Sequence, residues 1–229
     1  MTPQALYNLF RSDVVDTAAP YLWSDLEVWE YLSDAFEMFV RLTDGIGDIS
    51  SPMTQIPIIT GNMYAPLDRR IIKIRRAVFG STGRPLIILN VEDTPRPPLN
   101  DYGVVPPIGY DYLPGVVTSM VIGEQEGVCR WIQVPMENDS AKLAVWRMPL
   151  VSEIDSSSPE DALMEVDPRH HRNLLKWMRH RAYGKQDADT FNRGRSQENE
   201  TAFHTYCEWA RFEQQRQRSK VRITQYGGI

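Results

Sequence analysis

Cysteine is scarce in this chain: Cys129 and Cys207 are the two present in 229 residues. That excludes a small secreted scaffold held by a disulfide framework, and it points to two buried free thiols in a cytoplasmic protein. Long apolar runs are missing as well. None approaches the roughly 20 residues that a bilayer-spanning helix needs, so no membrane partner is expected. The opening Met1-Thr2-Pro3-Gln4 has neither the basic nor the apolar region of a secretory leader, and none is expected there.

Signatures of catalysis and of cofactor binding are missing too. The sequence contains no HExxH, CxxC, GxSxG, P-loop or GxGxxG pattern. The histidines are His170, His171, His180 and His204, and the spacing of His171 and His180 does not project two metal ligands from one helix face. Gly45-Ile46-Gly47 lacks the preceding strand and following helix that a phosphate cradle requires. His204 and Cys207 share a helical face, yet Cys207 is expected to pack inward. Asp25, Glu27, Glu30, Asp34 and Glu37 run along one helix between apolar stripes, which is the pattern of a solvated face rather than an acid/base pair. The chain is therefore expected to be no enzyme, with no cofactor and no metal.

Hydrophobic residues make up 42% and charged residues 24%, which is ordinary for a globular protein with a substantial core. The net charge of −5 conceals an asymmetry. Residues 1–166 carry 12 Lys/Arg against 23 Asp/Glu, a net of −11, while residues 167–229 carry 13 against 7, a net of +6. Such a division fits a chain whose ends meet different surfaces, including those of a neighbouring copy; solvated helix faces explain it equally well.

Hydrophobic periodicity divides the chain into a helical N-terminal part (1–50), a β-rich part (51–150), a linker (151–166), C-terminal helices (167–219) and an extended arm (220–229). Pro3, with Leu6, Leu9, Phe10 and Val14 at helical spacing, predicts a first helix over about 3–16. Ser24 and Glu27 form a capping box for a second, which Gly45 and Gly47 are expected to end. Its residues form two apolar stripes. Trp29, Leu32, Phe36, Phe39 and Val40 make one, and Val28, Tyr31, Ala35, Met38 and Leu42 make the other, so burial against a second subunit is expected.

Period-two segments follow. Residues 71–79 and 86–91 flank Gly80-Ser81-Thr82-Gly83, residues 116–122 and 128–134 flank Glu124-Gln125-Glu126-Gly127, and residues 142–148 follow a third turn. Short antiparallel strands joined by loops bearing Pro95, Pro97, Pro98, Pro106 and Pro107 imply a small sandwich or barrel. Asp167-Pro168 opens a third helix, stopped at Tyr183-Gly184, with Leu174, Leu175, Trp177 and Met178 inward. Asp187 or Asp189 caps a fourth, reaching about Ser219, with Phe191, Ala202, Phe203, Tyr206, Trp209, Ala210 and Phe212 expected inward. The fold class expected is α+β: a helical bundle from the two ends of the chain, with an inserted antiparallel β domain and an extended C-terminal arm.

That arm has β-forming residues, two adjacent glycines and no apolar periodicity, so it cannot fold by itself and is suited to ordering on a partner. Arg169, Arg172, Lys176, Arg179, Arg181 and Lys185 form a basic set that a nucleic acid or an acidic neighbour would satisfy.

Three stretches give the chain a family likeness. Trp23-Ser24-Asp25-Leu26-Glu27-Val28-Trp29-Glu30-Tyr31-Leu32-Ser33-Asp34-Ala35 opens the second helix. The second stretch runs from Leu174-Leu175-Lys176-Trp177-Met178 to the inter-helix turn Ala182-Tyr183-Gly184-Lys185-Gln186-Asp187-Ala188-Asp189, and the third is the ending from Arg222 to Tyr226-Gly227-Gly228-Ile229. In these the chain resembles the head-to-tail adaptor (connector) proteins of tailed bacteriophages, especially short-tailed ones. The likeness covers nearly the whole chain, although residues 95–107 have no counterpart in the family pattern.

The resemblance implies a structural virion protein of the phage neck. Adaptors form a ring, commonly twelvefold, beneath the portal protein, bind tail or nozzle proteins, and let DNA pass through the channel without specific binding. It places portal binding on Arg216, Arg218, Lys220, Val221, Arg222, Ile223, Tyr226, Gly227, Gly228 and Ile229. The ring interface is expected at Val28, Tyr31, Met38, Arg172, Lys176 and Arg179. A DNA-binding packaging accessory protein is the alternative, and a cell-wall hydrolase a third reading.

Overall fold

A computed structural model describes residues 1–93, 114–151, 153–186 and 191–218. The proline-rich stretch, the Asp187 and Asp189 cap, and the arm from Lys220 to Ile229 lie outside the described residues. The chain divides into two units, one of Met1–Gly45 with Pro149–Ile229 and the other of Ile46–Met148.

In the first unit α1 (Pro3–Asp13) starts on a Thr2 cap with proline in its first turn. At its end Val15 is left-handed, φ +58°, and the amide of Asp16 donates to the Arg11 carbonyl. Val15 is 83% exposed, so no packing requires a β-branched side chain there. Val15→Gly is expected to raise stability by about 1 kcal/mol, the relieved strain less the greater unfolded-state entropy of glycine. Urea denaturation checks this, and a loss of stability would contradict it. The helix α2 (Asp25–Leu42) carries the full reciprocal capping box between Ser24 and Glu27.

The second unit begins with β1 (Ile46–Asp48), β2 (Gln55–Ile58), β3 (Tyr64–Pro66), β4 (Ile71–Phe79) and β5 (Pro85–Asn90). Gly47 belongs to β1 and does not end α2. It lies under the indole of Trp146, where a Cβ would come within 2.6 Å of the ring. Then come β6 (Pro114–Gly115), β7 (Ser119–Gln125), β8 (Val128–Trp131), β9 (Val134–Pro135) and β10 (Asp139–Arg147). The chain returns to the first unit with α3 (Pro168–His171), α4 (Leu174–Gly184) and α5 (Arg193–Arg218). Asp167 caps α3 through the amide of Arg169, but the expected third helix is two, parted at Arg172 and Asn173.

The expected fold class, a helical bundle with a small inserted antiparallel β domain, needs correction. Eight of the strands make one large curled sheet in the order β1-β10-β4-β5-β7-β8-β3, with β2 also on β10, while β6 and β9 pair in parallel apart from it, and the protein is a mixed α and β structure. The hairpins β4–β5 and β7–β8 form where the glycine turns place them. However, β5 and β7 pair in parallel, from Ile87 opposite Ser119 to Asn90 opposite Ile122, so the sheet is not antiparallel. Parallel neighbours require a long crossover, and the connection between these strands is long enough to supply it. Among the described residues it is neither sandwich nor closed barrel, because β1 and β3 are the ends of its strand order. Along β10 the alternation buries Ala141, Leu143, Val145 and Arg147 on one face. The first three join the core with Ile56, Met120 and Trp131.

Candidate functional site

Helix α5 packs through Phe203, Cys207 and Ala210, all buried and spaced three and four apart. At about 100° per residue, Thr205, Trp209, Phe212 and Arg216 fall on the opposite face. Trp209 is 55% and Phe212 61% exposed, and Phe191 ahead of the helix is 50% exposed. These three side chains were expected inward and are not, and Tyr206 is only half-buried. The buried stripe was readable from its spacing. Aromatic character alone does not place Trp209 and Phe212 on that stripe; their helical angle puts them on the other side.

Within the exposed aromatic stripe, Trp209 is backed by packed rings. Trp209 lies 5.6 Å from Tyr206, ring centre to ring centre, and the Tyr206 hydroxyl is 2.8 Å from His170 Nδ1. Phe39 of α2 closes the group, 5.2 Å from the His170 ring. Burial, with help from Arg169, keeps the His170 pKa below its usual range, so the imidazole packs as a neutral ring. Further along, Arg211 pairs with Asp44 at 3.0 Å and Arg169 with Glu213 at 3.0 Å. The Arg216 guanidinium sits 6.0 Å from the Phe212 ring centre, which extends the aromatic surface with a cation. The arrangement is a partly apolar ledge, suited to burial against another protein surface.

The residues expected at a ring interface are scattered. Val28 is fully buried and Tyr31 is 7% exposed, both within the first unit. The second stripe of α2 is thus largely consumed by the chain's own packing, and its need for a neighbour goes with it. Met38 is half-buried and Arg172 exposed. Lys176 lies 5.1 Å from the Tyr206 ring centre and so borders the ledge. Arg179 is bound to Asp13 of α1. Of the expected portal-binding residues, Arg216 lies on the ledge; Arg218 ends α5, its side chain outside the described residues, as are Lys220, Val221, Arg222, Ile223, Tyr226, Gly227, Gly228 and Ile229.

The charge asymmetry is also met largely at home. Besides Arg179–Asp13 and Arg211–Asp44, Arg181 pairs with Asp34 at 3.2 Å and Lys185 with Glu27 at 2.7 Å. Each joins a cation of the C-terminal segment to a carboxylate of the N-terminal one. Among the described residues no group of three or more His, Cys, Asp or Glu could hold a metal ion. No helix among them is long and apolar enough to cross a membrane. The two thiols are free and buried, and burial pushes Cys129 up to about 11 and Cys207 up to about 12. That is the reverse of an activated nucleophile. No family model matches the chain, and no curated protein matches it.

Proposed function

We propose that this chain is a structural virion protein, a head-to-tail adaptor whose copies form a ring joining a phage portal to its tail around the DNA channel. The observation that carries the reading is the exposed ledge of Trp209, Phe212 and Arg216, presented opposite the packed face of α5 and followed in sequence by residues 219–229. An exposed aromatic surface followed by a segment with no means of folding alone suits a two-part attachment. The ledge docks against a neighbouring subunit, and the basic, β-forming tail orders on the portal. The likeness of the three sequence stretches to adaptor proteins supports the same assignment. The alternative of a DNA-binding accessory draws less from the basic set than its sequence suggests, since four of the six, Arg169, Arg179, Arg181 and Lys185, are each bound to a carboxylate of this chain.

Mixing the full chain with its cognate portal rings tests the reading by electron microscopy and sedimentation. The chain is expected to add a ring to the portal. Removing residues 220–229 is expected to abolish attachment while circular dichroism stays unchanged. Trp209→Ser with Phe212→Ser is expected to weaken ring formation by at least about tenfold, as loss of aromatic anchors does. Normal attachment without the tail, or rings indifferent to the ledge, would overturn the assignment.

A further inference from the structure

The sheet of the second unit gathers cations on one face. In the β4–β10 ladder Lys73 stands opposite Trp146, Arg76 opposite Ala144 and Val78 opposite Lys142, so these side chains share a face. Ile74, Ala77, Leu143 and Val145 take the other face and are buried. A bulge at Ala144 and Val145 leaves Arg75 outside the pairing. Its guanidinium lies 4.8 Å from the Trp146 ring centre, which puts it beside Lys73 and Arg76. Lys73, Arg75, Arg76 and Lys142 are all exposed.

Among the described residues none of these four makes an ion pair, whereas Arg69, Arg70, Arg130 and Arg147 of the same unit each hold a carboxylate. The ladder neighbours on this face are Gly47 of β1, Gln55 and Pro57 of β2, and Pro85 of β5, none of them acidic. Asp139 begins β10 close to Lys142 in sequence, but it stands opposite buried Ile58 and so belongs to the other face. Its oxygens accept from the Ser81 hydroxyl and from the amides of Ser81 and Ser140. Like charges crowded on paired strands repel, a cost that an anionic partner would relieve.

We infer that this face binds the phosphate backbone of double-stranded DNA without regard to sequence. Arg76 and Lys142 are diagonal neighbours, about 7–8 Å apart along the sheet, so the four cations make one dense patch. A duplex offers a matching density, about one negative charge per 1.7 Å of its axis. An acidic protein is the poorer fit, because lysine is depleted from protein interfaces and the patch surrounds no apolar centre of its own. A single strand is poorer too, because it binds by stacking bases on aromatic rings. Trp146 already lies between Gly47 beneath it and Arg75 above it, and so offers no platform. The inference does not rest on the adaptor reading: a ring can form on a portal whether or not this face binds DNA.

Fluorescence anisotropy of the full chain with a short labelled duplex of mixed sequence tests it. With four phosphate contacts, affinity is expected to fall about a hundredfold between about 50 and 200 mM salt. Arg76→Gln with Lys142→Gln is expected to weaken binding about tenfold at the lower salt and to reduce the salt-dependent fall to about tenfold. Circular dichroism should be unchanged, since both side chains are exposed and hold nothing in their own chain. Arg41→Gln with Arg195→Gln removes the same charge from the helical unit and is expected to leave affinity as it was. No binding at the lower salt, or binding indifferent to the Arg76 and Lys142 pair, would overturn the proposal. Equal weakening by both double variants would also overturn it, by reducing the effect to net charge. So would tighter binding of the single strand, or poly-glutamate bound as tightly as the duplex, which would give the face to another partner.

Discussion

Asp48→Asn is expected to lower the stability of the strand unit by about 3–5 kcal/mol, the cost of leaving a buried charge without its counter-ion. Asp48 and Arg147 are 8% and 5% exposed, and their side chains are paired across the β1–β10 ladder. The alternation of β10 makes the arginine unavoidable at the core-facing position, and Asp48 is what makes it tolerable. Burial works against the Asp48 carboxylate, but the Arg147 guanidinium and the backbone amides of Ser50 and Ser51 outweigh it. They hold its pKa well below the usual carboxylate range. With the folded value depressed, the pair's contribution is complete above the unfolded value of about pH 4 and disappears as pH falls toward the folded one. Urea unfolding of wild type and variant should differ most at neutral pH and converge in strong acid. Asp48→Asn with Arg147→Met should recover much of the loss, because an apolar pair needs no counter-charge. A single variant as stable as wild type would show that the guanidinium finds water or another acceptor.

Trp23→Ala is expected to cost the helical unit about 3–5 kcal/mol and to lower its melting temperature by roughly 10 °C. Trp23 is 2% exposed, with edge contacts to Phe10 at 6.0 Å and Tyr183 at 6.2 Å. Its indole N–H donates to the Ala182 carbonyl at 3.2 Å near the end of α4, and its own carbonyl accepts from Arg11 at 2.7 Å. That arginine is buried and bound to both Asp16 and Asp25, so the tryptophan keys α1, the turn after it and α4 into one cluster. Trp23→Phe should cost about 1–3 kcal/mol, because the ring contacts survive while the Ala182 carbonyl loses its donor. Melting followed by circular dichroism separates the two variants. Equal small losses would mean that the cavity collapses and the indole bond is idle.

Features set by neighbours in sequence were legible before the fold. The Ser24–Glu27 capping box, the Asp167-Pro168 start and the glycine turns of both hairpins all depend on a few adjacent residues. What escaped was long-range. Nothing in the period-two pattern of β10 distinguishes a partner at β8 from its actual neighbours β4, β1 and β2. The parallel pairing of β5 with β7 likewise depends on the path of the intervening chain. The ion pairs that absorb the charge asymmetry join residues far apart in sequence, such as Asp13 and Arg179. Part of the candidate site was within reach, because the positions of Trp209 and Phe212 follow from helical angles once Phe203, Cys207 and Ala210 are recognised as the packed stripe.

The helical unit is discontinuous, built from residues 1–45 and 149–229 on either side of the strands. A ribosome therefore delivers α1 and α2 long before α4 and α5 exist to cover them, and β1 and β2 must wait for the last strand, β10, which joins them to the rest of the sheet. Both halves of the molecule finish late in synthesis, which gives the nascent chain an extended period with uncovered aromatic surface. Fragments truncated before α5 should accumulate as aggregates, and efficient production of the intact chain should depend on chaperone capacity more than its final stability would indicate.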